Sequence, residues 1–280
     1  MNIQQAPLAG VDFSLVGPGK VGSSLAHWIV SKGARLTSVA ARSQASSRQL
    51  IDKLGGHFTS LERLSSADDD LLLVAVSDPA LADVIQTLAD CDQATVTLHT
   101  SGRFPGEILA ALRRGDRAIG SIHPLKAFPR VLSSAAAAEG TVFGIDGDPK
   151  ARALAQRLAL ACSGVPVEIP PSARSLYHLS ATIAAGGVVT LLASTAELAE
   201  TLELDPAVID GYLELARGAL LQARNSESVG DAITGPVARG DFQGHQAQIA
   251  ELRAIDPDLA DLLDLLAQRT LHHRRKLLRS

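Results

Sequence analysis

Cysteine is almost missing from this chain: Cys91 and Cys162 are the only two among 280 residues. A disulfide framework is thereby excluded, and a reducing cytosol is the compartment expected. A strong charge of either sign is missing too, since the formal net charge is −4, and nothing in that balance requires a polyanionic partner. The one basic run, His272-His273-Arg274-Arg275-Lys276, is short and falls where a helix should end, so its cations meet the negative pole of the helix dipole. No cluster of His, Cys, Asp or Glu has ligand spacing, so no metal is expected. The start of the chain lacks the basic segment and apolar run of a secretory signal. There is no internal repeat, and Ala135 to Ala138 is the only low-complexity patch. Leu179 to Ala196 is uncharged and long enough to raise the question of a membrane span. It is broken up by Ser180, Thr182, Gly186, Gly187, Thr190, Ser194 and Thr195, and therefore reads as a buried helix of a soluble domain.

What is present is an alternation of short apolar strands with helical segments, the pattern of a doubly wound, mostly parallel sheet. Strands are predicted at Val11–Val16, Leu36–Ala41, Leu71–Val76, Thr95–His99, Ala118–Ile122, Thr141–Ile145 and Val165–Ile169. Helices are predicted at Lys20–Ser31, Gln44–Leu54 and Ala151–Ala161. The uniformly aliphatic run from Leu71 must be buried on both faces, as central parallel strands are. After Pro170-Pro171 no strand signal returns. Ser172 to about Leu202 reads as one long helix, and Asp205-Pro206 and Asp256-Pro257 each begin another with a cap and a proline at the first helical position. The chain is therefore expected to divide near residue 170, into a Rossmann dinucleotide-binding domain over 1–170 and an all-helical domain over 171–280.

Gly17-Pro18-Gly19-Lys20-Val21-Gly22 fits G-x-G-x-x-G between a predicted strand and a predicted helix, the context that gives this common pattern meaning. The first glycine permits the tight turn, the second a close approach of pyrophosphate, and the third close packing of helix on sheet. At the end of the second strand, where an acidic residue would bind the ribose of NAD, stand Arg42 and Ser43. A guanidinium and a hydroxyl suit a 2′-phosphate, so NADP is expected ahead of NAD. Val76-Ser77-Asp78, Ser101-Gly102 and His123-Pro124-Leu125-Lys126 leave three further strands at their carboxyl ends, where open α/β sheets bind ligands. Ser101 either orients a substrate or caps its own turn. Hydride transfer to a carbonyl creates an alkoxide, so His123 or His178 is expected as proton donor and Lys126 as the cation that polarises the carbonyl or holds a carboxylate. Tyr177, next to His178 on a helix, is expected to point elsewhere. In Thr234 to Asp241, Asp241 reads as a helix cap, and Arg239 as either an anion ligand or a tie to Asp241.

The glycine turn, the His-Pro-Leu segment, Thr141 to Asp148, Tyr177-His178 and Thr234 to Asp241 occur together and in this order. In this the chain resembles the bacterial Rossmann-like proteins whose C-terminal helical domain has no assigned function. These are similar in architecture to ketopantoate reductase, pyrroline-5-carboxylate reductase and 6-phosphogluconate dehydrogenase. The resemblance implies a nicotinamide-dependent reductase, a homodimer built through the helical domains, and, by analogy with some members, action on ketopantoate or another small 2-oxo acid. The chain departs from well-characterised relatives, which carry Lys-x-x-x-Asn on the long helix, because it has Arg174, His178 and Thr182 there. Closer relatives often place an asparagine where Gly186-Gly187 stand. These departures keep a second expectation open: a nicotinamide-binding redox sensor or regulatory module that turns nothing over.

Overall fold

The computed structural model describes residues 6–277. Two compact units divide at Met1–Ala185 and Gly186–Ser280, fifteen residues beyond the paired prolines.

The first unit is built on β1 (Asp12–Val16), α1 (Lys20–Val30), β2 (Arg35–Ala40), α2 (Gln44–Leu54), β3 (His57–Thr59), β4 (Leu71–Val74), α3 (Asp78–Leu88), β5 (Val96–His99), β6 (Ala118–Pro124), β7 (Val142–Gly147), α4 (Pro149–Ala161), β8 (Val165–Glu168) and α5 (Arg174–Thr182). Its eight strands lie in the order β3-β2-β1-β4-β5-β6-β7-β8. All neighbours pair in parallel except β6 and β7, which are antiparallel. This is the mostly parallel Rossmann sheet expected. β4 is buried along its whole length and stops at Val74, two residues short of the predicted end, because Ala75 and Val76 already turn toward α3. β3 was not foreseen: three half-buried or exposed residues give no periodic signal.

Apolar side chains cover both faces of the sheet. One face packs Phe13, Leu15, Leu73 and Leu98 under Leu25, Trp28 and Leu158 of the flanking helices, and the other packs Val16, Leu72 and Val74 under Leu81, Ile85 and Leu88. Trp28 is fully buried, and its indole N–H donates to the carbonyl of Ser134 at 2.9 Å, so its one polar atom is satisfied.

The strand reversal at β7 sets the course of the rest of the unit. Pro124 faces Phe143 and Gly120 faces Gly147, so β7 runs away from the carboxyl edge of the parallel strands. β8 follows β7 in parallel. The chain thus leaves the sheet at the remote edge, and α5 returns from there.

The second unit is helical: α6 (Val188–Thr201), α7 (Ala207–Asn225), α8 (Pro236–Arg239), α9 (Phe242–Arg253) and α10 (Pro257–Leu277). A π-helical turn, Ile183–Gly187, joins α5 to α6. The predicted caps are present: Asp205 accepts from the amide of Ala207, Asp256 from that of Leu259, and Asp241 from that of Gly244, each at 2.9 Å. Arg239 makes no ion pair with Asp241 among the described residues.

Pro171–Thr201 is a helical stretch long and apolar enough to cross a membrane, with a mean hydropathy of 1.6. The expectation that it is buried is wrong for the single chain, where no residue of its most apolar window is buried. Leu176, Ile183 and Val189 are 68%, 63% and 65% exposed. The small polar residues interspersed along it lower the cost of that exposure without removing it.

Candidate active site at the carboxyl edge of the sheet

Register aligns the carboxyl ends of the strands. Val16 sits beside Val74, Val74 beside His99, and His99 beside Ser121 of β6. The segments predicted to carry chemistry therefore all emerge from one edge.

The glycine turn has the geometry its spacing implies. Gly17 adopts φ +90°, and a Cβ on it would lie 2.5 Å from the carbonyl oxygen of Ala75. A Cβ on Gly22 would strike the carbonyl oxygen of Gly17, so only glycine lets α1 start this close to β1. Gly19 meets nothing within 4 Å. It is also the N-cap of α1 and supplies no side-chain acceptor. The amides opening α1, with Lys20 and Val21 at its first turn, are therefore uncapped and approached through open space, which fits a dinucleotide pyrophosphate. Pro18 accepts from the Ser23 hydroxyl at 2.7 Å, which ties the turn to the helix. Arg42 and Ser43 are exposed just past β2, and Arg42 enters no ion pair among the described residues. Ser77 is the N-cap residue before Asp78 opens α3, and Val76 packs on the apolar cluster beneath the sheet.

Ser101 caps its own turn. Its Oγ accepts from the amides of Arg103 and Phe104 at 3.2 and 3.3 Å, capping the turn. The hydroxyl proton is not used in those bonds.

His99 was counted only as a strand terminus. It is fully buried; Nε2 donates to the carbonyl of Pro105 at 3.1 Å, and Nδ1 accepts from the amide of Ser101 at 3.1 Å. Burial pushes its pKa down to about 4. A neutral ring thus pins the loop that carries Ser101 and Gly102.

His123 lies at the end of β6, with Nδ1 2.9 Å from the Tyr177 hydroxyl. Its ring centroid is 5.5 Å from that of Tyr177 and 5.9 Å from that of His178, both edge-on. Burial first, then the neighbouring His178 and Arg174, pushes its pKa down to about 4. His123 is therefore held neutral at physiological pH. The expectation that Tyr177 points away from His178 fails. Consecutive helical residues do not face each other, but they can flank a third group, and His123 is that group. Gly102 completes the cluster: a Cβ there would lie 2.7 Å from Nδ1 of His178 and 2.8 Å from Nε2 of His123. Nδ1 of His178 is covered and has no hydrogen-bond partner. Lys126 is exposed and makes no side-chain hydrogen bond or ion pair among the described residues.

Behind the cluster lies a buried ion pair that the sequence did not reveal. Nε of Arg174 donates to Asp146 at 2.9 Å, and Nη2 donates to the hydroxyl of Ser121. Asp146 also accepts from Ser121 at 2.9 Å and from the amide of Gly106 at 2.8 Å. Both ionic side chains are shut off from solvent. Their partners lie 28 residues apart in sequence, so no local pattern could have joined them. Arg174 stands one turn before Tyr177, and its guanidinium carbon is 6.0 Å from the phenol ring. A cavity of about 270 Å³ lies at the remote edge, between Asp146, Asp148, Arg152 and Glu168, and no predicted site residue lines it. No three His, Cys, Asp or Glu side chains among the described residues come together in a way that could hold a metal ion.

Residues 2–124 match the profile of a Rossmann-like domain, and residues 141–270 match DUF2520, a domain of unknown function. The two matches lie in series along the chain. No curated protein matches it. Among solved structures it is similar to a protein of Thermotoga maritima (24% identity, TM-score 0.76, covering 94% of this chain and 98% of that one). It is similar also to a candidate NADP oxidoreductase of Bacteroides fragilis (23%, 0.75, 93% and 97%). A pyrroline carboxylate reductase of Plasmodium falciparum, solved with NADP bound, superposes at 14% identity and a TM-score of 0.60, covering 95% of this chain and 97% of that one. At such identities the likeness is one of fold. His123 falls within the Rossmann-like match, whereas Tyr177 and His178 fall within DUF2520.

Proposed function

We propose that the protein is an NADPH-dependent reductase of a small 2-oxo acid or a related carbonyl compound. The observation that carries this reading is the neutral, partly buried imidazole of His123 on the strand edge shared with an uncapped glycine turn. A bound nicotinamide would supply the hydride. The turn Gly17–Gly22 would hold the pyrophosphate, and Arg42 with Ser43 the 2′-phosphate that separates NADP from NAD. Val76, Ser77 and Asp78, at the neighbouring strand end, would flank the cofactor.

Negative charge grows on the carbonyl oxygen as the hydride arrives. A neutral imidazole N–H aimed at that oxygen stabilises the change, as oxyanion donors do. His123 takes that role through Nε2. The free proton of Ser101 orients the substrate, and Lys126 offers a cation to a carboxylate. His178 walls the far side of Gly102, with its Nδ1 turned inward, so it frames the site rather than donating to it.

Titration with NADPH and NADH, followed by NADPH oxidation against 2-oxo acids including ketopantoate, tests the reading. Tighter binding of NADPH that is lost in Arg42→Ala is expected, together with turnover of one acid. His123→Gln should lower kcat by about 10²-fold or more with NADPH binding kept. A second reading, a nicotinamide-binding module without turnover, draws on the lack of a Lys-x-x-x-Asn pair on this helix, where Arg174 is buried against Asp146. Binding with no oxidation across the panel would favour that module, and no binding would reject both.

The exposed apolar side chains of Pro171–Thr201 and of α7, Leu215 and Leu220 among them, are the surface through which we expect a second copy to associate.

A further inference from the structure

Among the described residues, the Tyr177 hydroxyl has one polar partner, Nδ1 of His123. The phenol is packed against β7, where a Cβ on Gly144 would lie 2.7 Å from its oxygen. Burial pushes its pKa up, so it keeps its proton. Were it to accept from an Nδ1–H, its own proton would be left with no acceptor in the protein among the described residues. Donation to Nδ1 satisfies both groups. Nδ1 is then the acceptor, and the neutral ring carries its proton on Nε2. That nitrogen lies beside Gly102, where any side chain would block it, and it makes no hydrogen bond among the described residues. The phenol itself is held in place one helical turn back, where Arg174 anchors α5 to Asp146 and Ser121.

We infer that Tyr177 is a positioning residue that fixes His123 in the Nε2–H tautomer, and that the site thereby selects an oxygen electrophile, a ketone or 2-oxo acid, over an iminium. The second half rests on the reductase reading. A carbonyl oxygen accepts from Nε2–H and accepts more strongly as it becomes an alkoxide, so the contact is worth most in the transition state. An iminium nitrogen has no free electron pair for that proton. A bound reduced nicotinamide would give up its hydride, breaking its own C–H bond and forming the new one; the C=O π pair would move to oxygen, which would take its proton from water.

The full chain, labelled with nitrogen-15 histidine and free of ligand, gives the tautomer directly from long-range proton–nitrogen correlations at about pH 7. His123 is assigned by the signal that disappears in His123→Gln. An unprotonated Nδ1 and a protonated Nε2 are expected, with Tyr177→Phe mixing the two tautomers. A protonated Nδ1 in the unmodified protein overturns the inference, and this arm needs no variant of Tyr177 to fold. In turnover, Tyr177→Phe should lower kcat about tenfold or more while KM for NADPH stays unchanged. The kcat/KM for 2-oxo acids should exceed that for cyclic imino acids of similar size by about tenfold or more; the opposite order overturns the substrate assignment. Turnover of neither class, with the tautomer as expected, would reject the reductase reading and the substrate assignment with it, while the role of Tyr177 stands.

Discussion

His99 and His123 are both held neutral by their surroundings, with pKa values pushed down to about 4 by burial first of all. In an unfolded chain the same rings titrate near ~6.5. As pH falls from ~6.5 toward ~4 the unfolded state therefore takes up protons that the folded state refuses. The stability these rings contribute is complete above ~6.5 and is lost across that window. For fully buried His99 the loss is on the order of 3 kcal/mol. Urea unfolding at several pH values should show stability falling with acid, and His99→Gln should flatten the slope even if it lowers the stability at neutral pH. Residue-scale features of this kind were the least legible in the sequence. The glycine turn announced itself because its spacing is local. His99, Arg174 and Tyr177 did not, since their partners are brought to them only by folding: Tyr177 meets His123 from 54 residues away.

Among the elements, the strands and helices that were read from apolar runs lie within a residue or two of their predicted limits, α2 with its limits unchanged, whereas α3 was not read from the sequence. Burial on both faces makes β4 a run of aliphatics, and capping prolines mark α10. Elements whose existence depends on pairing were missed, as β3 was. The π-helical turn between α5 and α6 leaves no mark in hydrophobic spacing, so a single long helix was read through it. The junction of β1 with α1 is the element most exposed to a single change. Gly22→Ala would drive a methyl group into the carbonyl oxygen of Gly17 and against Ala75, and α1 would have to lift from the sheet. We expect NADPH affinity to fall at least tenfold, read by fluorescence titration. The melting temperature should drop by several degrees, since about 1–3 kcal/mol is typical of overpacking. Gly19→Ala, which meets no protein atom, should leave the melting temperature nearly unchanged and affect only cofactor affinity.

On the scale of the whole molecule, the apolar side chains exposed along Pro171–Thr201 and along α7 lead us to expect self-association. Val189→Glu and Leu215→Glu place charges on that surface at 65% and 72% exposure, so neither disturbs the core of a single chain. Sedimentation velocity should show the unmodified protein as a dimer and these variants shifted toward monomer. A monomer throughout the micromolar range would overturn the expectation of self-association. Fold class was readable from the alternation of strands and helices. What covers this surface was not, because an apolar helix reads alike whether its cover comes from its own chain or from another.

Because β7 runs against β6, the chain quits the sheet at the remote edge, and α5 brings Tyr177 back to His123 from below. In terms of descent, this makes the two matched stretches poor candidates for independent shuffling. Residues 125–140 lie outside both matches, and recombination there would look like a clean exchange of one domain for another. Each product would nonetheless inherit a histidine without its phenol or a phenol without its histidine. Lineages descended from such a chain should therefore keep or replace His123 and Tyr177 together, and the two positions should vary as a pair across any set of its relatives.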